Sequence, residues 1–130
     1  MKNKVLIIQA NYYKDISTAL LKSAKNELKN FAKINVISVP GVFEIPVVIS
    51  KNLKKYDGFV ALGCVIKGQT PHFDFISSTT TDAIMKLSID YKKPIGNGII
   101  TCLNKKQAIV RSIKKGQEAA NAVSIVLEKL

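Results

Sequence analysis

A chain of 130 residues has the length of one ordinary domain and leaves no room for two. Hydrophobic residues make up 47% and charged residues 22%, a balance that excludes a disordered tail and predicts a single folded domain over residues 1–130. The net charge of +11 raises nucleic acid as a partner, but nineteen of the twenty cations are lysines spread over helical stretches and Arg111 is the lone guanidinium. Base and phosphate readers favour arginine forks, so the charge reads as solvated surface and nucleic acid is not expected.

The opening residues, MKNKVLIIQANYY, place lysines before an apolar run, but Gln9 and Asn11 interrupt it too early for a signal-peptide core. No apolar run reaches the length that a bilayer span needs, so a cytoplasmic protein with no membrane partner is expected. KVLIIQ (4–9) predicts a first strand. The doublet Tyr12 and Tyr13 follows, and either a ring packs on a neighbouring helix or it offers a flat face to an aromatic ligand. Positions 15–32 set Ile16, Ala19, Leu20, Ala24, Leu28 and Phe31 along one helical face.

KINVISV (33–39) predicts a second strand, ending in VPGVFEIP. There Gly41 permits a tight turn, Glu44 falls near a helix start where the dipole tolerates its charge, and Pro46 suits a first turn. A helix is expected over 45–55. GFVALGCVI (58–66) predicts a third strand and runs into KGQTPHFD, which holds the only histidine, His72. Gly68 lets backbone N–H groups approach an anion, and Thr70 adds a hydroxyl where a helix should begin, an arrangement suited to phosphate. Histidine is the side-chain type that exchanges protons near neutral pH, and here it sits beside that site.

A helix is expected over 74–91, a fourth strand over IGNGIITCL (95–103), and a largely helical final segment with Gly116 as a break between two helices. Cys64 and Cys102 lie inside apolar stretches and read as free buried thiols rather than a disulfide. One histidine and no CxxC pair offer no zinc spacing, so no metal is expected.

Strands this uniformly apolar suit a parallel sheet buried on both faces, and their alternation with helical segments predicts an α/β domain with right-handed crossovers and helices on both sides. In such a sheet, ligands bind outside the carboxyl ends of the strands, where Tyr12, Glu44, Gly68 and His72 fall. Arg111 adds a planar fork that matches phosphate oxygens, which lysine cannot supply.

Three stretches in this order, VPGVFEIP, DGFVALGCVIKGQTPHFDF and KKQAIVRS, resemble the 6,7-dimethyl-8-ribityllumazine synthase family, with matching spacing from about Lys4 to the final helix. The resemblance implies a three-layer flavodoxin-like domain with a four-stranded parallel sheet, assembled into pentamers or shells of pentamers. It also implies a reaction that joins 5-amino-6-(D-ribitylamino)uracil to 3,4-dihydroxy-2-butanone 4-phosphate. The products are the lumazine, phosphate and water, in the penultimate step of riboflavin synthesis and with no cofactor.

Carried over by position, Tyr12 stands where an aromatic residue stacks on the pyrimidine, and Val42, Phe43 and Glu44 line the site and hold the ribityl hydroxyls. Gly68, Gln69 and Thr70 bind the phosphate of the second substrate, with Val65, Ile66 and Lys67 completing that wall. Arg111, and Lys115 as the best match to a family lysine, reach the same phosphate from the adjacent subunit. His72 becomes the proton shuttle. A homo-oligomer with its two small substrates between subunits is therefore implied.

The chain departs from the family at Asn97, where many members carry phenylalanine over the ligand ring, and at Ser78 and Thr79, where they often carry Asn-Glu. The stretch after Arg111 is also several residues shorter, and little precedes the first strand. A non-catalytic lumazine- or flavin-binding protein on the same scaffold would keep Tyr12, Phe43 and Glu44 but have little need of His72 or Arg111, so their joint presence favours catalysis.

Overall fold

The computed structural model describes residues 3–68 and 72–130. Strands β1 (Asn3–Ala10), β2 (Ala32–Val39), β3 (Gly58–Ile66) and β4 (Ile95–Cys102) alternate with helices α1 (Lys14–Leu28), α2 (Ile45–Asn52), α3 (His72–Tyr91) and α4 (Lys105–Lys129). A single 3₁₀ turn, Val42–Glu44, precedes α2. The strands pair in the order β2-β1-β3-β4, and every pairing is parallel.

Period-two alternation splits the core into two sets. Val5 and Ile7 of β1, with Val60 and Leu62 of β3 and Ile100 and Cys102 of β4, face α1 and α4. Leu6 and Ile8, with Phe59, Ala61 and Ile99, face the opposite way onto α2 and α3. Helices thus cover both faces of the sheet, giving the expected three layers of a flavodoxin-like fold. Val5 through Ile8 are wholly buried, which explains why that run carries no polar residue. Among the described residues, no helix is long and apolar enough to cross a membrane.

The helix expected over 15–32 ends at Leu28. Ala32 already pairs with Asn3 of β1, so positions 29–31 must turn the chain, and Phe31 packs on the core from outside the helix. The helix expected over 45–55 likewise stops at Asn52. Its end is held by Lys93, whose Nζ donates to the carbonyls of Leu53 and Tyr56. Pro46 sits in the first turn of α2, where its missing N–H costs nothing.

Gly116 does not break the last segment. α4 runs unbroken for 25 residues, and Gly116 is buried where it meets α1. A Cβ there would collide with Ser23 Oγ and come within 2.5 Å of Leu20 O. The glycine marks closest approach of two helices, not a stop. Helix propensity alone favours alanine at this position by about 1 kcal/mol. Because the obstacle includes backbone, we expect Gly116→Ala to destabilise the fold instead, by about 2 kcal/mol. Urea unfolding checks this; a more stable variant would contradict the close α1–α4 contact.

Candidate active site

The sheet order places a switch point between β1 and β3. The crossover from β1 leads to β2 on one side, whereas β3 pairs on the other, and the loops beyond their carboxyl ends diverge to leave a crevice. A cleft of about 670 Å³ opens there, lined by Tyr12 and Tyr13 after β1, Val42, Phe43 and Glu44 of the 3₁₀ turn, and Val65 and Ile66 of β3.

The tyrosine doublet divides its work. Tyr13 is half-buried against the α1/α4 core, and burial, its main cause, raises its hydroxyl pKa. Tyr12 meets it edge to face, with centroids 4.9 Å apart and planes at 80°, and stands 75% exposed in the cleft. One ring anchors the loop and the other is presented. The loop itself is tied down by Ser17 Oγ, which donates to Ala10 O at 2.6 Å, and by Asn11 N, which donates to Val39 O at 3.0 Å. Asp15 pairs with Lys105 at 3.2 Å, and that hydrogen bond holds its carboxyl below the usual range, though both groups are solvated.

Glu44 fixes the second wall. Its Oε1 accepts from Gly41 N at 2.9 Å while its own N–H donates to Gly41 O at 3.2 Å, closing the turn and leaving Phe43 61% exposed. Gly41 has an extended backbone, φ −144°, within the turn expected there from the sequence. The third wall is the end of β3, where Lys67 N donates to Cys102 O at 2.9 Å and prolongs the pairing with β4. Lys67 and Gly68 are exposed, and a Cβ on Gly68 would meet nothing within 4 Å, so packing does not demand a glycine there. Gln69 and Thr70 lie outside the described residues. His72 opens α3, whose first two turns supply Phe75, Ile76 and Thr79 as the fourth wall.

Arg111 and Lys115 lie elsewhere. They line a second concavity of about 480 Å³ between α4 and the edge strand β4, together with Lys114, Thr101 and Glu118. Arg111 is exposed, and its Nη1 donates to Thr101 O at 3.4 Å. The two concavities share no described lining residue. Asn97 lines neither; it is exposed on β4 with Oδ1 accepting from Ile99 N at 3.0 Å.

The structure therefore gathers Tyr12, Val42, Phe43, Glu44, Val65 and Ile66 into one cleft, gathers Arg111 and Lys115 into another, and leaves Asn97 apart. Sequence reasoning missed Cys64 and Phe75 as cleft residues. Helical spacing carried the signal for Phe75, four positions before Thr79 and so one turn away along the same side. Both cysteines are free as expected, but Cys64 is only half-buried because it faces the cleft.

A family model described as 6,7-dimethyl-8-ribityllumazine synthase matches residues 2–130. A protein of that name from Agrobacterium fabrum is 44% identical over 139 residues, covering 98% of this chain and 94% of the relative. Another from Bartonella henselae is 45% identical, covering 93% of this chain and 84% of the relative.

The chain belongs to the 6,7-dimethyl-8-ribityllumazine synthase family.

It is a transferase of riboflavin biosynthesis, condensing 5-amino-6-(D-ribitylamino)uracil with 3,4-dihydroxy-2-butanone 4-phosphate. The cleft suits the first of these substrates: exposed rings offer a flat face to a pyrimidine, and Glu44 offers a carboxylate to hydroxyls. The second concavity suits a phosphate, with a guanidinium and two lysines against one carboxylate.

Cys64 lines the cleft as a free thiol. Burial first, and then neighbouring Cys102, push its thiol up to about 12, so it keeps its proton where an ordinary thiol ionises. Alkylation by iodoacetamide at pH 8 should run about fiftyfold slower than for a free thiol, despite access from the cleft. Mass spectrometry of the native protein measures this; labelling at the free-thiol rate would mean that the thiolate is not suppressed.

Proposed function

We propose that the condensation runs at a site completed between two copies of the chain in a cytoplasmic homopentamer, with residues 1–130 acting as one domain. The observation that carries this reading is the separation of the two concavities within one chain: the pyrimidine-shaped cleft and the Arg111 groove have no described residue in common, although the reaction needs both substrates in contact. Apolar side chains left in water on two helices support it, among them Met85 and Ile89 on α3 and Val110 on α4, each more than half exposed. A second copy would cover such faces while bringing its Arg111 to the first copy's cleft.

In this arrangement Tyr12 stacks on the pyrimidine, and Val42, Phe43 and Glu44 hold the ribityl chain. Gly68, Gln69 and Thr70 bind the phosphate from one side, with Val65, Ile66 and Lys67 on the same wall. Arg111 and Lys115 of the neighbouring copy bind it from the other. Asn97, outside both concavities of its own chain, adds a polar edge only in the assembled site, where many relatives carry a ring. The 5-amino group of the uracil attacks the ketone, water is lost to give a Schiff base, phosphate leaves, and attack of the ribitylamino nitrogen on the remaining carbonyl, with loss of a second water, closes the ring to the lumazine. His72 shuttles protons among these steps. Most of the acceleration comes from holding two substrates in register, since orientation alone can supply several orders of magnitude.

Lumazine appearance above the uncatalysed background is the primary assay. His72→Ala should lose about 10²-fold in turnover rather than all of it. Arg111→Ala should mainly raise KM for the phosphorylated substrate. Assayed with the phosphorylated substrate well below the raised KM of Arg111→Ala, where both variants are nearly inactive, subunits of the two, mixed and reassembled, should recover about a quarter of the parental rate, because random neighbours restore one complete site in four. No recovery after verified mixing would place both residues in the same chain's site.

A further inference from the structure

Three aromatic rings stand outward around the first cleft: Tyr12 at 75% exposure, Phe43 at 61% and Phe75 at 72%. They come from three separate elements, the β1–α1 loop, the 3₁₀ turn and the first turn of α3. Leaving one ring in water is ordinary, but three that converge on one concavity indicate a flat ligand that covers them.

Phe75 is not held out for want of room in the fold. α3 seats itself through buried Ile84 and Thr80, with Ile76 and Leu87 packed against the core on the α2 side. The other exposed large hydrophobic residues of α3, Met85, Ile89 and Tyr91, lie turns away and do not line the cleft. Nor does β4 furnish a ring, since its outward residue Asn97 lines neither concavity.

We propose that Phe75 is a substrate-binding residue, its ring forming the α3 wall that covers the pyrimidine opposite Tyr12 and Phe43. The inference rests on the reading that this cleft takes the aminouracil. It assigns selectivity for a planar heterocycle to Phe75 and none for the phosphorylated substrate, whose cationic partners lie in the other groove.

The test compares the parent protein with Phe75→Ala and Phe75→Tyr by titration with 6,7-dimethyl-8-ribityllumazine, by KM for each substrate, and by solution mass. Phe75→Ala should weaken lumazine binding and raise KM for the aminouracil about tenfold, with KM for the phosphorylated substrate, thermal stability and mass unchanged. Phe75→Tyr should return both constants to within about twofold of the parent. Lumazine binding equal to the parent's in Phe75→Ala would overturn the assignment while leaving the cleft reading intact. A loss of assembly, with both substrates affected alike, would overturn it by making Phe75 a contact between copies. A parent that binds no lumazine would overturn both the cleft reading and the assignment of Phe75.

Discussion

The position of every functional group depends on the parallel pairing of β1 between β2 and β3. Val5, Leu6, Ile7 and Ile8 are wholly buried, alternately against the α1/α4 layer and the α2/α3 layer. Burying each such side chain favours the fold by about 1.5–3 kcal/mol, and a slip of one residue would send every one of them to the wrong layer. The register is therefore fixed, and with it the level at which three strands release the chain. Tyr12, Phe43 and Ile66, distant in sequence, meet because all three strands point the same way.

That constraint explains why the two concavities lie apart within one chain. The crevice forms at the β1–β3 switch point, whereas Arg111 rides on α4 beside β4, the strand at the sheet's edge. α4 cannot be moved toward the crevice, because Gly116 locks it onto α1 at backbone distance and Ala119 packs over Gly96 of β4. Rigid placement suits a reaction in which alignment of two substrates outweighs strong acid–base chemistry. It also leaves the cationic groove facing outward, where a neighbouring copy can use it.

Much of this was legible in the sequence because the strongest signals have short-range causes. Four Val/Ile-rich runs read as strands; the central β1 and β3 are buried on both faces as expected, whereas the edge strands β2 and β4 leave polar residues such as Asn35 and Asn97 in water. The tyrosine doublet left two readings open: Tyr13 packs on the core, as one of them had it, while Tyr12 stays exposed. Gly116 was misread because a helical glycine signals a break when only local propensity is weighed, whereas its reason is the side chain and backbone of α1. Phe31 was misread because its helical spacing is real but β2 must begin at Ala32. Arg111 stood out as the sole guanidinium, yet its separation from the cleft depends on where α4 crosses the sheet edge, which no local pattern encodes.

The measurement that bears most directly on a site completed between copies is turnover per chain across a dilution series, with mass in solution followed on the same samples. Activity per chain should fall in step with the loss of assembled protein and return on reconcentration. Isolated single chains that make lumazine as fast as the assembly would contradict the account.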